Sequence, residues 1–89
     1  MKGKASVKVP NGKLVQVEAE YSDVFKDVSI TGDFFLEPPE ALEDIQDAIE
    51  GVEVGDEEEL VEKLESLDAR MIGFEPSHIV EALREAVDG

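Results

Sequence analysis

The chain has 89 residues, of which 42% are hydrophobic and 35% charged, with a formal net charge of -15 and no cysteine. This length allows one domain with one core, and the lack of cysteine excludes disulfide frameworks, thiolate nucleophiles and cysteine metal sites. The negative charge argues against nucleic acid and membrane surfaces as partners, because phosphate backbones and anionic lipids carry charge of the same sign.

Two strands are predicted near the N-terminus, over residues 4–9 and 14–21. In both segments apolar residues alternate with polar ones, which is the pattern of a strand with one buried face. The pair Asn11-Gly12 between them tolerates the positive φ angles of a type I′ turn. We therefore expect an antiparallel hairpin.

A third strand is predicted over residues 26–31, where Val28 and Ile30 alternate with polar neighbours. Ser22 and Asp23 are expected to form the preceding turn, whereas residues 24–25 fit either strand or loop. The first 36 residues thus predict a three-stranded antiparallel sheet with one apolar face, and that face needs a cover.

Three helices are predicted after the strands, over residues 39–50, 57–68 and 76–88. Apolar residues there recur at helical spacing, with acidic residues opposite them. Gly51 can supply the left-handed stop of the first helix. Because all strands precede all helices, we expect an α+β fold, with the sheet and the helices packed as two layers in a single domain, 1–89.

Most of the net negative charge lies in the middle of the chain, since residues 37–68 contain fourteen acids and Lys63 as their single basic residue. Asp56, followed three residues later by Glu59, is typical of a helix N-cap with a capping box. A solvated helical surface explains these charges; the alternative is an acidic adaptor that binds a basic protein. Residues 1–9 lack the apolar run of a signal peptide or membrane span, so a cytoplasmic location is expected.

No constellation of catalytic or metal-binding residues is recognisable. The glycines lack the spacing of a phosphate-binding loop, and one histidine without cysteine cannot form the usual zinc site. Ser77 and His78 are adjacent on a predicted helix, where neighbouring side chains do not face each other. The consecutive acids at 56–59 fit a helix cap better than a calcium loop. We assign no catalytic, cofactor-binding or metal-binding residue.

The segment between sheet and helices is the candidate partner interface, because it combines two adjacent phenylalanines with two prolines. Neighbouring side chains in extended backbone point to opposite sides, so one of Phe34 and Phe35 is expected outside the core, where it can anchor a partner. Alternatively, a bend at Gly32 lets both rings fill the junction. The later run 70–74 is a second candidate, although its apolar residues are more often core. The interface candidates are Gly32, Asp33, Phe34, Phe35, Pro38 and Pro39.

The sequence resembles the C-terminal accessory domain of lipoate-protein ligase A. The resemblance rests on Ile30-Thr31-Gly32-Asp33-Phe34-Phe35 after an antiparallel sheet, an acidic helix after this run, and Ile72-Gly73-Phe74 before a terminal helix. In that family the large domain holds the lipoyl-adenylate site and its lysine, and the small domain assists adenylation of lipoate by ATP. In some archaea the small domain is a separate polypeptide.

The resemblance implies an accessory subunit that forms a hetero-oligomer with the catalytic large subunit. It has no active site of its own but belongs to an ATP-dependent ligase. Lipoate and ATP with Mg are expected on the partner, with no cofactor on this chain. Only residues 32–35 correspond to a family signature. A chain that starts at Met1, just before its first strand, resembles the separate subunit, although a trimmed domain would look the same.

Overall fold

The computed structural model describes residues 1–10, 13–33 and 35–88, and within them the α+β prediction is confirmed. The expected Asn11-Gly12 turn and the placement of Phe34 lie outside the described residues. The elements are β1 (Lys2–Lys8), β2 (Leu14–Tyr21), β3 (Phe25–Gly32), β4 (Phe35–Glu37), α1 (Ala41–Ile49), α2 (Glu57–Glu65), β5 (Arg70–Ile72) and α3 (Pro76–Asp88).

The first three strands form an antiparallel sheet in the order β1-β2-β3. Ala5 lies opposite Val17, and Val17 lies opposite Ile30, so the apolar residues of all three strands share one face. The register shifts at Tyr21, which pairs with Phe25. Phe25 is buried and begins β3, which places this residue in the strand and not in the loop.

Helices cover the apolar face of this sheet. Helix α3 packs on β1 and β2, α1 packs on β3, and α2 packs against both α1 and α3. The side chains of Ile45, Leu60 and Leu83 are almost fully buried at these contacts. The approach of α3 to β1 is close, because a Cβ atom at Gly3 would overlap the backbone carbonyl of Ala86. One continuous core results.

The helix ends follow local rules of capping. The side chain of Asp56 accepts a hydrogen bond from the backbone N–H of Glu59 at 3.1 Å, which confirms the predicted N-cap of α2. Gly51 has φ of +91° just after α1, as a left-handed stop requires. Helix α1 begins at Ala41, two residues later than predicted, and α2 ends at Glu65, before the predicted 68.

A two-stranded antiparallel ribbon, β4–β5, is the feature that the sequence analysis missed. Residues 35–37 lie in the segment predicted to join the sheet to the helices, and the sequence predicts no strand over residues 70–72. Phe35 pairs with Ile72, Leu36 with Met71, and Glu37 with Arg70. Each strand has only three residues, which is too short for a period of two to stand out from irregular sequence. The ribbon joins the segment before α1 to the segment before α3.

Candidate docking surface

The β4–β5 ribbon exposes one pair of apolar side chains and turns the next pair towards the core. Phe35 is 65% exposed and its direct partner Ile72 is 37% exposed, whereas Leu36 is 9% exposed. Met71, opposite Leu36, packs against the buried core residues. This alternation is what a pleated ribbon imposes. For Phe35, the structure therefore contradicts the alternative in which both rings fill the junction.

Backbone contacts attach the two ends of the candidate segment to the rest of the domain. Gly32 has φ of +145° at the end of β3, a conformation that residues with a Cβ rarely adopt. The Asp33 N–H donates to the Leu14 carbonyl oxygen at 2.9 Å, which ties the segment to β2. The carbonyls of Pro38 and Pro39 accept hydrogen bonds from the first amides of α1. These contacts attach Asp33 to β2 and the two prolines to α1, and Phe34 lies outside the described residues.

Lys13 extends this surface beyond the predicted residues. Its Nζ lies 5.7 Å from the centroid of the Phe35 ring, within the range of a cation–π interaction. Its side chain also passes near Gly73, where an added Cβ would lie 3.7 Å from the Lys13 Cγ and Cε. Phe35, Ile72 and Lys13 together are called the ribbon patch below. Ile72 belongs to the second candidate run, 70–74, and its place beside Phe35 depends on long-range strand register. Sequence reasoning missed Lys13, because no local pattern indicates its contact with the ring.

The ion pairs of the described residues lie on the helices, outside the ribbon patch. Within the described residues, the ion pairs are Lys63 with Glu59 and Arg84 with Glu57. All four side chains are more than two-fifths exposed, so these pairs add little stability. On the ribbon, Glu37 lies opposite Arg70. The ribbon patch itself thus combines two apolar side chains with one cationic side chain, and the pleat places Glu37 and Arg70 on the same side of the ribbon.

The histidine that was considered for chemistry has a local structural contact. The Nδ1 of His78 accepts a hydrogen bond from the Glu75 N–H at 2.9 Å, at the start of α3. Among residues 1–10, 13–33 and 35–88, no group of three His, Asp or Glu side chains is placed to hold a metal ion. In the same residues, no helix is long and apolar enough to cross a membrane.

The fold is similar to that of a protein from a known lipoylation system. A chain from the solved structure of an archaeal bi-partite lipoate protein ligase and its E2 lipoyl domain, from Thermoplasma acidophilum, matches with a TM-score of 0.79. The match covers 94% of this chain and 96% of that chain at 23% sequence identity. No family model and no curated protein sequence matches this chain. The comparison therefore shows a shared fold with a component of a lipoylation system.

Proposed function

We propose that this chain is the accessory subunit of a lipoate-protein ligase. It binds the catalytic large subunit and assists ATP-dependent formation of lipoyl-adenylate. The observation that carries the proposal is the likeness in fold, over nearly the full length of both chains, to a chain of an archaeal lipoylation system. The Gly32-Asp33-Phe34-Phe35 run, which resembles the family signature, adds independent support.

In the proposed complex the chemistry belongs to the partner. A carboxylate oxygen of lipoate attacks the α-phosphorus of ATP, and pyrophosphate leaves with the electrons of the broken P–O bond. Lipoate, ATP and Mg are held by the catalytic subunit in this proposal. The accessory chain contributes differential binding, because it can favour the adenylating conformation of its partner only by binding that conformation more tightly.

The ribbon patch is the proposed contact with the catalytic subunit. Burying an exposed phenylalanine contributes on the order of 2 kcal/mol, and aromatic residues are enriched among those that dominate binding energy. The β4–β5 pairing also holds Phe35 on hydrogen-bonded strands rather than on a free loop. Less side-chain and backbone freedom is then lost when the partner binds.

Reconstitution with purified proteins tests the proposal. Pyrophosphate release from ATP and lipoate would be measured for the catalytic subunit alone, with this chain, and with its Phe35→Ala variant. We expect release to depend on the wild-type chain and to fall with the variant, while the chain alone shows no activity. Adenylation at full rate by the catalytic subunit alone would contradict an accessory role.

An acidic adaptor for a basic protein is the competing function, and the exposed acids of α1 and α2 favour it. The salt dependence of binding distinguishes the adaptor from the accessory subunit. A complex held by these charges should weaken steeply between about 0.05 and 0.5 M salt, since charge interactions are screened over that range. A complex anchored by Phe35 should keep most of its affinity. Steep salt dependence with an unaffected Phe35→Ala variant would favour the adaptor.

A third possible role is that of the lipoyl acceptor, and the mass of this chain after the reaction distinguishes it. The matched system also contains an E2 lipoyl domain, and a chain that accepted the lipoyl group would gain its mass on a lysine side chain. The proposal predicts that the mass of this chain is unchanged after incubation with the ligase, ATP and lipoate. A lipoyl adduct on any of its lysines would assign it to the acceptor side of the reaction.

A further inference from the structure

The amine of Lys13 is part of the same surface as the exposed Phe35 ring. It lies over the ring at 5.7 Å, and the side chain as a whole is half-buried, with its aliphatic part near Gly73. A lysine whose aliphatic stem lies along neighbouring residues keeps its charged head at the surface. Any protein that covers Phe35 therefore also covers the Lys13 amine.

Lys13 has no acidic partner within the described residues. The ion pairs there involve Lys63 and Arg84, and no carboxylate oxygen lies within 4.0 Å of the Lys13 Nζ. The chain has 23 acids, but none in the described part of the chain forms an ion pair with this amine. The contact that the structure shows for the Lys13 amine is the cation–π interaction with the Phe35 ring.

Docking of Phe35 into an apolar pocket would remove water from the Lys13 amine. An ammonium group that loses its hydration without an opposite charge is strongly unfavourable, and the ring alone compensates only part of that cost. From this we infer that the partner surface that receives Phe35 is an apolar socket bordered by a carboxylate, which pairs with Lys13. This inference rests on the proposed function and specifies the chemistry of the partner.

A second copy of this chain does not fit the same surface. In a two-fold symmetric contact each patch meets itself, so two Lys13 amines would be brought together between two ribbons. Like charges in such a contact are repulsive and suppress the wrong partner. The charge complement of the ribbon patch is therefore an acidic site on a different protein.

The test measures the Kd between this chain and the catalytic subunit of a bi-partite lipoate protein ligase from the same genome. Lys13→Met keeps an unbranched stem and removes the charge, and Lys13→Glu reverses it. Lys2→Glu is the matched control, because Lys2 is exposed at the opposite end of the β1–β2 hairpin. This variant has the same net charge as Lys13→Glu. We expect the Kd to rise about tenfold for Lys13→Met and further for Lys13→Glu, with little change for Lys2→Glu.

Zero-length carbodiimide cross-linking identifies the acid directly. The reagent activates a carboxylate, and the Lys13 amine then attacks the activated carbonyl and releases the urea, which leaves an amide between the two chains. Mass spectrometry should find Lys13 joined to an Asp or Glu of the partner. The result that overturns the inference is an unchanged Kd for both Lys13 variants, with no such cross-link, while Phe35→Ala still weakens binding.

The outcomes separate this inference from the proposed function. Equal weakening by Lys13→Glu and Lys2→Glu would mean that only the overall field matters, and it would overturn the specific pairing. If neither Phe35→Ala nor the Lys13 variants change binding, the proposed contact surface is wrong, and the inference with it. Failure of the wild-type chain to bind the catalytic subunit would overturn both.

Discussion

Phe35 and Ile72 lie directly opposite each other on β4 and β5, and both side chains are exposed to solvent. Their neighbours in the ribbon, Leu36 and Met71, pack towards the core. This inner pair attaches the ribbon to the core, and the outer pair stays exposed. A short element thus presents an aromatic and a branched aliphatic side chain at the junction of sheet and helices.

Removing the outer pair should leave the fold intact. We expect Phe35→Ala and Ile72→Thr each to lower the free energy of unfolding by about 1 kcal/mol or less, because exposed positions lose only a cross-strand contact. Chemical denaturation measures this change. Leu36→Ala is the contrasting variant on the buried side of β4, and it should cost clearly more. Equal destabilisation by Phe35→Ala and Leu36→Ala would show that the Phe35 side chain packs in the core.

Gly3→Ala should destabilise the domain although it adds a single methyl group. The new Cβ would overlap the Ala86 backbone, so α3 must shift away from β1, at an expected cost of about 1 to 3 kcal/mol. Thermal or chemical unfolding measures it. Gly55→Ala is the matched control, because nothing lies within 4 Å of a Cβ at that position. An equal loss for both variants would argue against the close packing of α3.

The cap of α2 is predicted to depend on a hydrogen bond more than on charge. Asp56→Ala removes the acceptor for the Glu59 N–H and should lower the free energy of unfolding by about 0.5 to 2 kcal/mol. Asp56→Asn keeps an acceptor oxygen at the same place and should retain most of the stability. If Asn proves as harmful as Ala, the contribution of Asp56 is mainly electrostatic.

Gln46 is expected to stabilise the edge of the sheet next to α1. Its Oε1 accepts a hydrogen bond from the Ile30 N–H of β3 at 3.1 Å. Gln46→Ala leaves this part-buried amide without its acceptor and should cost about 1 to 3 kcal/mol. Gln46→Glu keeps an acceptor and should cost less. Hydrogen exchange of the Ile30 amide reports the contact directly, and unchanged protection in Gln46→Ala would show that the bond is dispensable.

The long elements could be predicted from sequence because periodicity accumulates over their length. The alternation of β2 and the helical stripe of α3 indicate both the type of element and its buried face, and Asp56 marks a helix start by its own chemistry. No such signal marks the ribbon. Residues 35–37 and 70–72 pair across a long stretch of chain, and three residues are too few to define a period.

The candidate site could be predicted only in part for the same reason. Adjacent phenylalanines followed by prolines indicated that 32–39 was unusual, but the sequence alone left open which ring is exposed. The exposure of Phe35 follows from its pairing with Ile72. The position of Lys13 over the ring depends on how the β1–β2 hairpin meets the ribbon, and no local pattern encodes that contact.

The most direct measurement of the central claim is pyrophosphate release by the catalytic subunit of a bi-partite lipoate protein ligase, titrated with this chain and with Phe35→Ala. The proposal predicts that release requires the wild-type chain and that the variant needs at least about tenfold more protein for half-maximal activity. Activity that is independent of this chain, or an identical titration with the correctly folded variant, would contradict it.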